Sequence, residues 1–186
     1  TGGAAGSGGY SDTNVREEGV GEADTVKTDG THMYILSGSR VEIVNIASEE
    51  MTEVSAVTVD PDSYIRELYV EDNRLAVFYT QSRYTQGDGI DVSAREYTCT
   101  DVYDISDPST PVKLNTLSQS GVYNTMRVKD GYAYVLSSFY PDTASPRSDA
   151  GAYVPSVQGS TLEADRIFMP EQEMGSEYTV ITAFSL

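Results

Sequence analysis

A chain of 186 residues with 29 Asp and Glu against 12 Lys and Arg carries a formal charge of −17. That balance excludes nucleic acid, whose phosphates need clustered Lys and Arg, and it argues equally against an anionic membrane surface. A single cysteine, Cys99, and a single histidine, His32, exclude an internal disulfide and any site built on two or more His.

Residues 1–9, "TGGAAGSGG", have the composition of a flexible tether, which suits a segment following a removed signal peptide or lipid anchor. Residues 10–22 follow, and the stretch from Tyr10 to Gly30 gathers Glu17, Glu18, Glu22, Asp24 and Asp29 with only Arg16 and Lys27 to offset them. A calcium loop spaces Asp and Asn regularly around a Gly turn, whereas these acids are irregular and Glu-rich. The expectation is structural: residues before Ala23 pair as an outer, ring-closing strand, and Asp24 enters the first inner strand near a central channel. A cation, with calcium the candidate and Glu22 and Asp24 its ligands, is the alternative.

Three segments then repeat: "DGTHMYILSG" from Asp29, "DNRLAVFYTQ" from Asp72 and "DGYAYVLSSF" from Asp130, spaced 43 and 58 residues apart. Asp followed by Gly or Asn ahead of an apolar run is a two-residue hairpin signal, and the Asp is expected to accept backbone N–H bonds in the turn. Each copy has a strand-like run before the turn ("ADTVKT", "IRELYVE", "YNTMRVK") and another after it ("VEIVNI", "TDVYDI", "VITAFSL"). The first two copies add an outer run, "MTEVSAVTV" and "PVKLNTLS". The unit is therefore four strands, repeated at residues 23–60, 61–121 and 122–186, the last without its outer strand.

"MYIL", "LAVFY" and "AYVL" are apolar at every position, so these strands are expected to be covered on both faces. No helical periodicity supplies the cover. Sheets stacked radially satisfy both facts, and repeats of this length are the mark of propeller blades; a two-sheet sandwich is the competing arrangement. The predicted fold is all-β: consecutive four-stranded antiparallel blades of an incomplete β-propeller. Propellers close with about four to eight blades. Missing blades or self-association are therefore expected as partners.

With these residues laid out, the chain resembles a family of secreted bacterial and archaeal proteins with a β-propeller domain, distantly related to WD40 repeats. The likeness rests on "TNVREEGVGEADTVKTDG" from Thr13, "VYDISDPSTPVKL" from Val102, and the stretch from Tyr153 through "EYTVITAFSL". Arg16 stands where the family usually has Gln, and Gly21 where it usually has Asp, which removes one carboxylate from the opening cluster. The resemblance implies a secreted or extracytoplasmic location and no agreed activity.

Two insertions separate the second and third strands of their units: residues 82–96 and residues 141–177, where the first unit has only "SGSR". In an up-and-down blade both connections emerge on one face, and long loops on a rigid scaffold carry binding residues. Tyr84, Tyr97, Tyr140 and Tyr153 flank or lie in them and suit a protein, peptide or glycan ligand. Equally, the loops can serve only to cover each other. Cys99 lacks a nearby base in its unit and reads as a structural thiol, while Asp104 and Asp107 in "DISDPSTP" read as turn acids. The functional expectation is a non-enzymatic extracytoplasmic binding or scaffolding module. The alternatives are a hydrolase of glycan, cell-wall or peptide material with carboxylates at the channel, and a calcium-stiffened structural domain.

Overall fold

The computed structural model describes residues 20–86, 92–172 and 175–186. Strands β1 (Val26–Thr28), β2 (His32–Ser37), β3 (Arg40–Asn45) and β4 (Thr52–Thr58) form one antiparallel sheet in chain order. The second sheet is built on β5 (Ser63–Glu71), β6 (Arg74–Gln86), β7 (Val92–Asp104) and β8 (Val112–Ser120). The third pairs β9 (Val122–Lys129), β10 (Tyr132–Phe139) and, after the long insertion, β13 (Tyr178–Ser185). Within the insertion lie a helical turn, α1 (Ala150–Tyr153), and a short hairpin, β11 (Ser156–Val157) with β12 (Ser160–Thr161).

The second sheet is wedged between the other two. Along β6 the side chains alternate between two cores, as a period of two requires. Leu75, Val77 and Tyr79 join Tyr34, Val41, Ile43 and Val57 of the first sheet, whereas Ala76 and Phe78 join Met126, Val128, Ala133 and Val135 of the third. Every residue from Leu75 to Thr80 is buried. Cover on both faces therefore holds for "LAVFY" alone. In "AYVL" the pattern alternates, with Ala133 and Val135 buried and Tyr134 40% exposed, because no further sheet stands beyond it among the described residues. "MYIL" likewise buries only Tyr34 fully.

The predicted two-residue turns form at Asp72-Asn73 and Asp130-Gly131, but there the aspartates themselves take positive φ (49° and 53°). Their value in the turn is tolerance of the left-handed region. The first turn is one residue longer. Its Asp29 carboxylate does accept the backbone N–H groups of Thr31 and His32 at 2.8 and 2.7 Å, along with the Tyr34 hydroxyl at 2.9 Å. Asp104 and Asp107 accept from Ser106 and Ser109 as turn acids do.

Two connections depart from expectation. Residues 82–86 and 92–96, read as loop, continue β6 and β7 as a ladder in which Tyr84 lies opposite Ala94 and Arg83 opposite Arg95. The second insertion does not only rise from the sheet: β11 pairs with the outer strand β8 through Val157 and Gln119, extending the second sheet to six strands. Gln158 fixes this clasp, its side-chain carbonyl accepting the Ser118 N–H at 2.6 Å while its own N–H donates to the Ser118 carbonyl at 2.8 Å.

Residues 21–24 cross the innermost strands of two sheets. Gly21 exchanges two backbone bonds of 2.8 Å with Val128 on β9, and Asp24 exchanges bonds of 3.0 and 2.7 Å with Leu68 on β5. The ring-closing outer strand expected over residues 10–22 lies mostly outside the described residues; its described end pairs instead with an inner strand.

Candidate functional site

The two insertions meet. From the second unit, Arg95 on the extended β7 reaches Asp149 at the N-terminal side of α1, and the guanidinium donates to the Asp149 carboxylate. Gly151 permits this approach, since a Cβ there would stand 2.9 Å from the Arg95 guanidinium. Asp142 starts the insertion and is tied to α1 by a 2.8 Å bond from its N–H to the Ala152 carbonyl. Its carboxylate accepts from the Ser145 hydroxyl at 2.7 Å and the Ala144 N–H at 3.0 Å. Those bonds, the hydroxyl first, hold the Asp142 carboxyl below the ordinary carboxylate range, with nearby Arg95 adding to the effect.

Between the insertions lies a cavity of about 290 Å³, whose walls include Arg95, Glu96, Tyr97, Phe139, Tyr140 and Asp142. Tyr97 is half-buried, and the Arg83 guanidinium lies over its ring at 4.2 Å from the centroid. Tyr140 is 63% exposed, and its hydroxyl hydrogen-bonds Glu177, which raises the phenol above its usual value. A second cavity of about 220 Å³ opens between the second and third sheets. Gln119 lines it, but that side chain is fully employed: it donates to the Ser137 hydroxyl at 2.8 Å and the Val180 carbonyl at 3.1 Å, and accepts from Thr182. That cavity is a seam between sheets, and the one between the insertions is the candidate site.

Of the four tyrosines singled out from the sequence, Tyr97 and Tyr140 line this cavity. Tyr84 stands 67% exposed farther along the β6–β7 ribbon, and Tyr153 turns its hydroxyl inward to the Ser145 carbonyl. Arg95, Asp142 and Asp149 were not singled out. Their only signal is that they are charged residues inside insertions, and the pairing of Arg95 with Asp149 spans 54 positions.

The candidate metal ligands are engaged elsewhere. Glu22 lies 3.2 Å from Arg127, and Asp24 accepts the Thr25 N–H at 2.7 Å. Among the described residues no group of three or more His, Cys, Asp or Glu converges to hold an ion. Other acidic groups near the inner strands are also occupied, Glu67 accepting the Tyr123 hydroxyl at 2.6 Å. Cys99 is buried, and burial pushes its thiol up, away from the thiolate that a nucleophile needs. Among the described residues no helix is long and apolar enough to cross a membrane.

A family model for the beta propeller domain matches residues 10–186. No curated protein matches the chain, and no solved structure does.

Proposed function

The chain belongs to the beta propeller domain family, and on that premise we propose that it is a non-enzymatic, extracytoplasmic binding or scaffolding module whose ligand sits between its two insertions. One observation carries the reading. The β6–β7 ribbon and the 141–177 insertion, from different units, enclose a common cavity and are joined across it by Arg95 and Asp149. A rigid stack of sheets with a concave, partly aromatic site in its longest connections is a typical arrangement for recognition. The extracytoplasmic placement draws its support from the family resemblance carried by the stretches from Thr13, Val102 and Tyr153.

The test replaces residues 82–96 with the short "SGSR" connection of the first unit, which leaves the buried part of β6 and β7 in place. Wild type and variant are compared on arrays of peptides and glycans. A ligand retained by the wild type and lost by the folded variant supports the proposal. Ligands that bind both equally, or hydrolysis of an arrayed compound, overturn it.

A further inference from the structure

We propose that the cavity of about 220 Å³ between the second and third sheets binds a small neutral phenol or alcohol, one ring in size, held by the Thr100 hydroxyl. Its walls share no residue with the cavity between the insertions, and the proposal does not depend on that site. Thr100 and Leu117 of the second sheet, Thr182 and Phe184 of the third, and Val157 of the β11 clasp enclose it. The exposed side chain of Gln158 marks its rim.

Thr100 points to a ligand. Its neighbour Cys99 belongs to the core against the first sheet, so the period of two along β7 turns Thr100 toward the third. The residue is 2% exposed, and among the described residues no group bonds its hydroxyl. The one side-chain oxygen or nitrogen sealed from solvent without a partner, among the described residues, is the hydroxyl of Ser63. The unbonded Thr100 hydroxyl is therefore not sealed. The sliver of surface that Thr100 keeps includes this oxygen, and the surface belongs to the cavity wall. A buried hydroxyl left unpaired is costly, and a ligand that pairs with it removes the cost.

The neighbouring hydroxyls define what that ligand must offer. Thr98 donates to the Gly121 carbonyl at 2.9 Å, and Thr182 donates to the side-chain carbonyl of Gln119. Each has given its single proton and can only accept further, whereas Thr100 can donate. A ligand hydroxyl matches both, accepting the Thr100 proton and giving its own to Thr98 or Thr182. Among the described residues none that lines the cavity is charged, so an ionised ligand would leave water without a counter-charge. Leu117, Val157 and Phe184 make the rest of the wall apolar. Water is a poor occupant there, because a buried water seeks about three hydrogen bonds and this space holds several waters. An apolar cavity of about 150 Å³ admits benzene, so this one has room for a ring and its hydroxyl. A sugar brings more hydroxyls than such a wall can match.

The experiment titrates the full chain with para-cresol, toluene and benzoate, following the methyl NMR signals of Thr98, Thr100, Leu117 and Val157. Thr100→Val is the variant, chosen because it keeps the shape of the side chain and removes a hydroxyl that has no internal bond to lose. The expected result is saturable binding of para-cresol, at least about tenfold tighter than toluene or benzoate. Thr100→Val should weaken para-cresol about tenfold and leave toluene unchanged. Absence of saturable para-cresol binding, meaning a cavity that holds water only, overturns the proposal. Equal binding of toluene or benzoate, or indifference to Thr100→Val, overturns it as well. Should Thr100→Val fail to fold, the wild-type signals decide: para-cresol shifts centred on these four methyl-bearing residues uphold the site, and shifts centred elsewhere overturn it.

Discussion

Asp101 has no exposed surface, and the Nζ of Lys113 stands 2.6 Å from its Oδ2. Three hydroxyls complete the carboxylate's surroundings: Thr116 at 2.7 Å, Tyr79 at 3.1 Å and Tyr103 at 3.4 Å. β6, β7 and β8 thus share one buried polar knot on the face that meets the first sheet. Burial and the Asp101 charge together raise the phenols of Tyr79 and Tyr103, so both remain protonated donors.

Removing the acceptor strands these donors, so Asp101→Ala is expected to cost about 3–4 kcal/mol of unfolding free energy. Lys113→Met costs less, about 1–2 kcal/mol, because its side chain is 45% exposed and the hydroxyls still solvate the carboxylate. In an Asp101→Ala background the second substitution adds little. Urea unfolding of the four proteins completes the cycle; full additivity would show that the lysine does not act through Asp101.

Gly121 separates β8 from β9, at the passage from the second sheet to the third. It has φ of 98°, and a Cβ there would sit 2.4 Å from the Ser138 carbonyl oxygen. Gly121→Ala therefore suffers twice, from the left-handed backbone and from a clash with main chain that cannot swing away, and is expected to destabilise by about 2–4 kcal/mol. Gly131, at φ of 75° with nothing within 4 Å, suffers only the first. Gly131→Ala should cost about 1–2 kcal/mol. Similar unfolding midpoints for the two alanine variants would refute the close approach at Gly121.

The turn acids set a pH response. In Asp104 and Asp107 the serine hydroxyl two residues on is the main cause, and backbone N–H bonds the next, of a carboxyl held below the ordinary 3.8. A folded value below the unfolded one contributes stability that is fully present above the unfolded value and lost as pH falls through the folded value. The double variant Asp104→Asn/Asp107→Asn should be less stable than wild type at pH 6, with the gap narrowing below about pH 4. Measuring the gap rather than absolute stability cancels the relief of general repulsion on acidification. A gap unchanged between pH 6 and pH 3 would count against these bonds.

The architecture was readable because its cause is local. Asp72-Asn73 and Asp130-Gly131 announce turns in two adjacent letters, and the apolar runs after them announce cover. The extent of that cover was not readable, because burial of Tyr134 depends on whether another sheet stands beside it. The site was half readable. Tyr97 and Tyr140 flank insertions and could be found by position, but the contact of Arg95 with Asp149 needs two insertions folded toward each other. The clasp of β11 on β8 has only two-residue strands, too short for any periodicity, and depends on the side chain of Gln158. Gly21, noted only as a lost carboxylate, turns out to be a close-approach residue, since a Cβ there would stand 2.5 Å from the Tyr69 hydroxyl.

The outward face of the third sheet leads to the last prediction. Tyr132, Tyr134 and Ile181 are 50%, 40% and 61% exposed and project from the side opposite buried Ala133, Val135 and Val180. Tyr134 pairs with Ala183 and Leu136 with Ile181, so the four form one continuous apolar patch across β10 and β13. Within the second sheet the equivalent β6 surface is covered on both sides, which shows what such a face does when a neighbour is present. The 186-residue chain is therefore expected to self-associate through this patch, more strongly at high salt, where the repulsion of its −17 charge is screened. Ile181→Asp places a charge in the middle of the patch without touching either buried core. It should weaken association by about tenfold or more, on the order of 1.4 kcal/mol, and leave the melting temperature of the dilute protein unchanged. Sedimentation at several concentrations decides. A wild type that stays monomeric at high concentration and high salt, or an Ile181→Asp variant that associates as before, would show that this face is not the contact.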